Sequence, residues 1–169
     1  MSPRVVLVGP MGAGKTTVAA LLAAHWGLEV RDTDTDIEQA VGMTVQELFV
    51  DSGEAEFRRL EEEAVAAALA EHRGVLALGG GAVLSADTRG LLQGHTVVHL
   101  DVGLSDAVQR VGLGESRPVL NQALGGVRAR IKQLLDERGP LYREVATHTV
   151  DTGGRIPEDV AAEIEERLG

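Results

Sequence analysis

Short apolar runs alternate along the chain with longer stretches whose apolar positions recur at helical spacing. Val5–Val8, Leu28–Arg31, Val75–Leu78, Thr96–Leu100 and Thr147–Val150 are rich in Val and Leu and nearly unbroken. That is the pattern of strands buried on both faces. Amphipathic stretches near Thr16–Trp26, Glu54–Glu71, Ser105–Arg110 and Val127–Glu137 predict helices between them, and a last helix runs from about Pro157 to Leu168, with a proline suited to its first turn. Thr44 and Glu47 form a capping box, so a short helix starts at Thr44. This alternation predicts an α/β fold with a parallel sheet and helices on both sides. With no repeat and no linker, residues 1–169 read as one domain. The segment Val111–Gly126, in which glycines surround Arg117-Pro118, is either a mobile flap or an ordinary surface loop.

Composition narrows the function classes. Trp26, Tyr142, Phe49 and Phe57 are the only aromatics, so the core must be filled by Val, Leu and Ala. The net charge is −10, from 26 acidic against 16 basic residues, which argues against nucleic acid as a partner, because that affinity comes from neutralising phosphates. The absence of cysteine excludes disulfides, thiolate metal sites and cysteine nucleophiles. No apolar run approaches the roughly 20 residues of a membrane span, and the N-terminus turns Gly-rich too early for a signal peptide. A soluble, cytoplasmic, monomeric protein with no membrane partner is expected.

Gly9-Pro10-Met11-Gly12-Ala13-Gly14-Lys15-Thr16 follows the first strand and opens the first helix. It matches G-x-x-x-x-G-K-[ST] in the required context; at this chain's composition about 0.003 accidental matches are expected. Glycines let the backbone curl until successive N–H groups converge on phosphate oxygens, and the helix N-terminus adds partial positive charge. Gly12, Ala13, Gly14, Lys15, Thr16 and Thr17 are therefore ATP-binding candidates. Lys15 would reach the β- and γ-phosphates, and Thr16 would ligate Mg²⁺. Asp151-Thr152-Gly153-Gly154 formally fits the D-x-x-G of a GTP switch, but the only other lysine, Lys132, lies in no N-K-x-D segment. A small-molecule kinase remains.

The second substrate has several candidate partners. Asp32-Thr33-Asp34 follows the second strand, where carboxylates point into the ligand crevice. If strand geometry continues, Asp32 and Asp34 share an orientation; one would hold the Mg²⁺ water shell and the other a substrate hydroxyl. The alternative is helix capping ahead of Ile37, with Asp36 as the cap. Glu54, Arg58 and Glu61 share a helical face, as a solvated ion-pair ladder or as an arginine aimed into the crevice. Gly79-Gly80-Gly81 suits a ligand lying against bare backbone. Arg117 and Arg138 can each bind a phosphate or carboxylate bidentately, and Arg110 and Arg155 are candidates near an adenine or a phosphate. The five histidines form no ligand set.

Taken in order, these motifs resemble the shikimate kinase family: the phosphate loop, D-T-D at Asp32–Asp34, G-E-x-x-F-R-x-x-E at Gly53–Glu61, G-G-G at Gly79–Gly81, R-P at Arg117-Pro118 and R-x-P-L-Y at Arg138–Tyr142. The resemblance implies a P-loop NTPase of the nucleoside-monophosphate-kinase type, a three-layer α/β/α fold around a five-stranded parallel sheet. It includes a shikimate-binding segment at about residues 32–61 and a lid at about 111–126. It implies transfer of the ATP γ-phosphoryl to the 3-hydroxyl of shikimate, in chorismate and aromatic amino acid biosynthesis. Asp34 would bind the ring hydroxyls; Arg58 and Arg138 would clamp the carboxylate, with Glu61 orienting an arginine; Gly79, Gly80 and Gly81 would meet shikimate through backbone. Lys15 and Arg117 would neutralise the transferring group, Thr16 and Asp32 would hold Mg²⁺, and Arg110 and Arg155 would border the adenine. The closest rival is another small-metabolite kinase of the same fold, such as gluconate kinase or a nucleoside-monophosphate kinase; a monophosphate site would show more arginines for a second phosphate, whereas gluconate is also a polyol with one carboxylate. On either reading the negative charge belongs to the outer surface, and the crevice is expected to be locally positive.

Overall fold

The computed structural model describes residues 2–113 and 124–169. Five parallel strands, β1 (Val5–Val8), β2 (Val30–Asp32), β3 (Val75–Ala77), β4 (Val97–Asp101) and β5 (His148–Asp151), form one sheet in the order β2-β3-β1-β4-β5. Seven α-helices connect or follow them: α1 (Lys15–Trp26), α2 (Thr33–Val41), α3 (Val45–Glu71), α4 (Ala86–Leu92), α5 (Leu104–Leu113), α6 (Leu124–Val145) and α7 (Pro157–Leu168). The chain lays β2 and β3 on one side of β1, then crosses to place β4 and β5 on the other. The crevice for ligands in such a sheet opens where the order reverses, at the C-terminal strand ends around β1.

Alternation along β1 divides the interior. Val5 and Leu7 join a cluster with Val18, Leu22, Val98 and Ile164. Val6 and Val8 join the opposite cluster with Val65, Leu76, Leu78 and Tyr142, because successive side chains leave a strand on opposite faces. A third, smaller cluster of Ile37, Leu48 and Phe57 ties α2 to α3 away from the sheet. Continuous burial holds for the inner strands; β2 and β5 are edges and are partly exposed.

The expected helices are present, with three differences. Helix α4 was not signalled by periodicity: it is only seven residues long, with Ser85 capping the Thr88 N–H. Helix α6 runs on past Glu137 through Pro140. A proline there removes one helical donor, and the burial of Tyr142 beyond it offsets the loss. Thr44 does cap α3 in a reciprocal box with Glu47. The assignment is continuous to Glu71, but Gly53 sits at φ 84°, ψ 170°, so two helices meet there. Only glycine adopts that backbone without strain, and the break lets the stretch from Glu54 onward run in its own direction.

Candidate active site

The phosphate loop leaves β1 at Gly9 and ends at Gly14, whose left-handed φ of 88° starts α1. No side chain caps α1, which leaves its first N–H groups for an anion. Lys15 Nζ donates to the carbonyls of Gly9 (2.7 Å) and Pro10 (3.1 Å), lying back across the loop. Thr16 and Thr17 are exposed on the first turn, and Ala13 is buried beneath. Arg110 donates to Gly12 O (3.0 Å), Thr152 Oγ1 (3.1 Å) and Thr152 O (2.7 Å), linking the phosphate loop to the loop after β5. Arg155 stands in that second loop, donates to Asp151 O (2.9 Å) and pairs with Glu163 of α7 at 2.7 Å. The Asp151 carboxylate accepts from Gly153 N at 2.9 Å, so the D-x-x-G aspartate closes a turn.

The two aspartates after β2 do not alternate as strand residues. The strand ends at Asp32 and α2 begins at Thr33. Asp32, not Asp36, is the helix cap: its Oδ1 accepts from Asp34 N (2.8 Å) and Thr35 N (3.3 Å). Asp36 instead pairs with Arg31 at 2.6 Å. A cap must sit one residue outside the helix with extended backbone, and Asp32 does, at φ −125° and ψ 124°. Asp34 therefore projects from the first turn of α2. A Cβ added at Gly79 would lie 2.7 Å from Asp34 Oδ1 and 3.0 Å from Glu61 Oε2, so this glycine is what admits both carboxylates to the end of β3.

Arg58 Nη1 donates to Glu61 Oε1 at 2.8 Å, and its Nε meets Glu54 at 3.4 Å. Glu61 is 4% exposed, so this is no solvated ladder. The Arg58 guanidinium lies over the Phe57 ring at 5.2 Å, and a Cβ at Gly81 would collide with its Nη1 and fall 2.6 Å from its Nη2. A Cβ at Gly80 would lie 3.6 Å from Gly9 O and from Met11 N, and 3.7 Å from Arg138 Nη1. The triple glycine thus packs against the phosphate loop on one side and two arginines on the other. Thr33 lies inside D-T-D, as Tyr142 lies inside R-x-P-L-Y, but is not among the expected site residues: its hydroxyl accepts from Gly79 N at 3.3 Å. Tyr142 is a second such residue, since its hydroxyl donates to Gly80 O at 2.6 Å.

Electrostatics separates Asp34 from the other carboxylates. Burial, with the charges of Asp32 and Glu61, pushes its carboxyl up to about 6 against a partial opposing effect of Lys15, and Asp34 Oδ1 is buried without a hydrogen-bond partner. Burial also raises Glu61, against the pull of Arg58 and Arg138. Among the described residues no three His, Asp or Glu side chains gather as a metal site. Thr16, in the first turn of α1, and Asp32, at the end of β2, supply one hydroxyl and one carboxylate. Such hard oxygen donors suit a Mg²⁺ ion that keeps phosphate and water as its other ligands. Arg117 and most of the expected lid at 111–126 lie outside the described residues.

A crevice with a phosphate loop, a perturbed aspartate and two arginines invites comparison with known kinases. The family model "Shikimate kinase" matches residues 11–169. A shikimate kinase of Salinispora arenicola is 58% identical over 164 residues, covering 97% of this chain and 96% of that protein. One from Frankia casuarinae is 58% identical over 165 residues, covering 98% of this chain and 72% of the relative. Among solved structures, shikimate kinase from Acinetobacter baumannii in complex with shikimate superposes with a TM-score of 0.92 at 37% identity, over 99% of this chain and 93% of the other. The order of strands, the loops gathered at their C-terminal ends and these full-length matches lead to one conclusion: the chain belongs to the shikimate kinase family.

Proposed function

We propose that this chain, an ATP-dependent kinase by its family, transfers the γ-phosphoryl group of ATP to the 3-hydroxyl of shikimate, yielding shikimate 3-phosphate and ADP. Phosphoryl transfer passes through a loose transition state, so catalysis is mostly positioning and charge neutralisation. The phosphate loop from Gly12 to Thr17 cradles the phosphates. Lys15, joined by Arg117, neutralises the transferring group, and Arg110 and Arg155 border the adenine. Asp34 accepts the hydrogen bond of the attacking hydroxyl and aligns it. Arg58 and Arg138 clamp the acceptor carboxylate, Glu61 holds Arg58, and the backbone of Gly79, Gly80 and Gly81 lines the ring. Thr16 would hold Mg²⁺ directly and Asp32 through water; when bound with ATP the ion neutralises charge on the β- and γ-phosphate oxygens.

One observation carries this reading. An unpartnered, buried carboxylate oxygen of Asp34 lies beside the same triple glycine that faces two arginines. That set matches an acceptor with hydroxyls at one end and a carboxylate at the other. Gluconate has the same chemistry, and family membership favours shikimate. An ADP-release assay with shikimate, gluconate and nucleoside monophosphates tests the choice; preference for either of the last two would overturn it. The protein is proposed to work as a cytoplasmic monomer with ATP and shikimate as its partners. No helix among the described residues is long and apolar enough to cross a membrane.

Arg58→Ala or Arg138→Ala is expected to raise the KM for shikimate roughly ten- to hundredfold, the worth of a hydrogen bond to a charged group, with the KM for ATP nearly unchanged. Arg58→Ala should also lower the melting temperature, because it leaves the buried Glu61 charge without its partner. Equal activity on an acceptor lacking the carboxylate would contradict the clamp.

A further inference from the structure

Tyr142 is the only tyrosine in the chain and is 1% exposed. It lies one helical turn beyond Arg138 on α6, on the same face. Its hydroxyl donates to Gly80 O at 2.6 Å. The positive charge of the Arg138 guanidinium acts on the same hydroxyl. The ring stacks on the buried His99 of β4, with centroids 5.1 Å apart and planes 29° from parallel. Tyr142 is thus clamped from β4 and presents one polar atom to the triple glycine, within the field of a clamp arginine.

The backbone needs that hold. A glycine run has the least intrinsic conformational preference of any sequence; Gly79 O and Gly81 O accept from Ala82 N (3.1 Å) and Leu84 N (3.0 Å), and Tyr142 supplies the partner of the Gly80 carbonyl between them. In a trans peptide the N–H of the next residue points opposite to the C=O, and the described residues have no cis peptide bond. Fixing Gly80 O toward α6 therefore fixes Gly81 N–H away from it. Gly81 is the residue packed against the Arg58 guanidinium.

We infer that Tyr142 is a positioning residue for acceptor binding, setting the Gly80–Gly81 peptide and Arg138 in one geometry from beneath the site. Tyr142 does not itself contact the reacting atoms. The ordinary role for a buried tyrosine is core filling, and its ring does fill the cluster around Leu76 and Leu78. Core filling does not require the hydroxyl; the hydrogen bond to Gly80 O does. Burial raises the phenol to about 12, so the hydroxyl stays a donor throughout the working pH range.

The inference rests on the proposed placement of shikimate at Gly80 and Arg138, so the test carries its own control. Tyr142→Phe keeps the ring and the stacking on His99 and removes only the hydroxyl. It is expected to raise the KM for shikimate about three- to tenfold, with kcat and the KM for ATP within about twofold of wild type. A fall in melting temperature with an unchanged KM for shikimate would overturn the inference, as would equal losses toward both substrates. Arg138→Ala is measured in parallel. If it leaves the KM for shikimate unchanged, the placement of the acceptor fails; if it raises the KM and Tyr142→Phe does not, only the role of Tyr142 fails. A second measurement avoids mutation. Because Tyr142 is unique, growth on ring-fluorinated tyrosine labels this one position, and its single fluorine resonance should move when shikimate is added to the intact protein. A resonance unmoved by saturating shikimate would count against the inference.

Discussion

Lys15→Ala should lower kcat by at least roughly 10²–10³-fold, the loss typical when one preorganised group that stabilises transition-state charge is removed. The affinity for shikimate should change far less. Lys15 opens α1, and its ammonium already rests on the Gly9 and Pro10 carbonyls. The loop carbonyls keep the cation beside the phosphate site, and it exchanges them for phosphate oxygens when ATP binds. ADP release at saturating ATP and shikimate checks the expectation, and a near-normal kcat would overturn the phosphate-loop assignment.

Asp34→Asn should cut kcat roughly 10²–10⁴-fold, the range for a positioned group that accepts the reacting proton, with ATP binding intact by calorimetry. Loss of ATP binding would show that the residue was misassigned. Its pH dependence is a second handle. Burial raises the carboxyl from 3.8 to about 6, and the charged form is the one that accepts a hydroxyl proton. The kcat/KM for shikimate at saturating ATP should therefore fall below about pH 6, and Asp34→Asn should lack that acid limb. Stability runs the other way. A folded pKa above the unfolded one favours the protonated group in the folded state. That contribution is complete below pH 3.8 and is lost as pH rises through about 6. At pH 7 the buried charge opposes folding by about 3 kcal/mol, so Asp34→Asn should melt higher than wild type there. A lower melting temperature would mean that the carboxylate has a stabilising partner.

The charge arithmetic also changes on close view. An excess of acid suggested a positive crevice within an acidic shell. Among the described residues, Lys15, Arg58 and Arg138 share the crevice with Asp32, Asp34 and Glu61. Among these six the charges balance, and Arg117, which the expectation also counted, lies outside the described residues. Each carboxylate is close enough to another group to hold it or perturb it, and two of the three have raised pKa values because burial makes their charge costly.

Much of this was legible one residue at a time. The phosphate loop declares itself because its glycines, Lys15 and Thr16 are adjacent, and the chemistry needs them adjacent. The parallel sheet declares itself because β1, β3 and β4 are buried on both faces and so read as unbroken apolar runs. The capping box at Thr44 and Glu47 is local by nature. Asp34 and Arg58 could be picked out as residue types, but each kept a bland alternative, since capping and exposed ion pairs use the same side chains.

What chose between those alternatives lies across the sheet. Asp32 became a cap and Asp34 a perturbed acid because the chain turned into α2 at Thr33, a matter of one residue that no period reveals. Arg58 became a half-buried arm because Glu61 sank against the end of β3, where Gly79 makes room for it. Tyr142 joined the site from a helix more than sixty positions after Gly80, through one hydroxyl on one carbonyl. Periodicity and motifs report forces between near neighbours in the chain: hydrophobic faces, caps and turns. Burial, desolvation and hydrogen bonds between distant loops arise only once the strands are in register, and those are the forces that set the charge and reach of the catalytic groups.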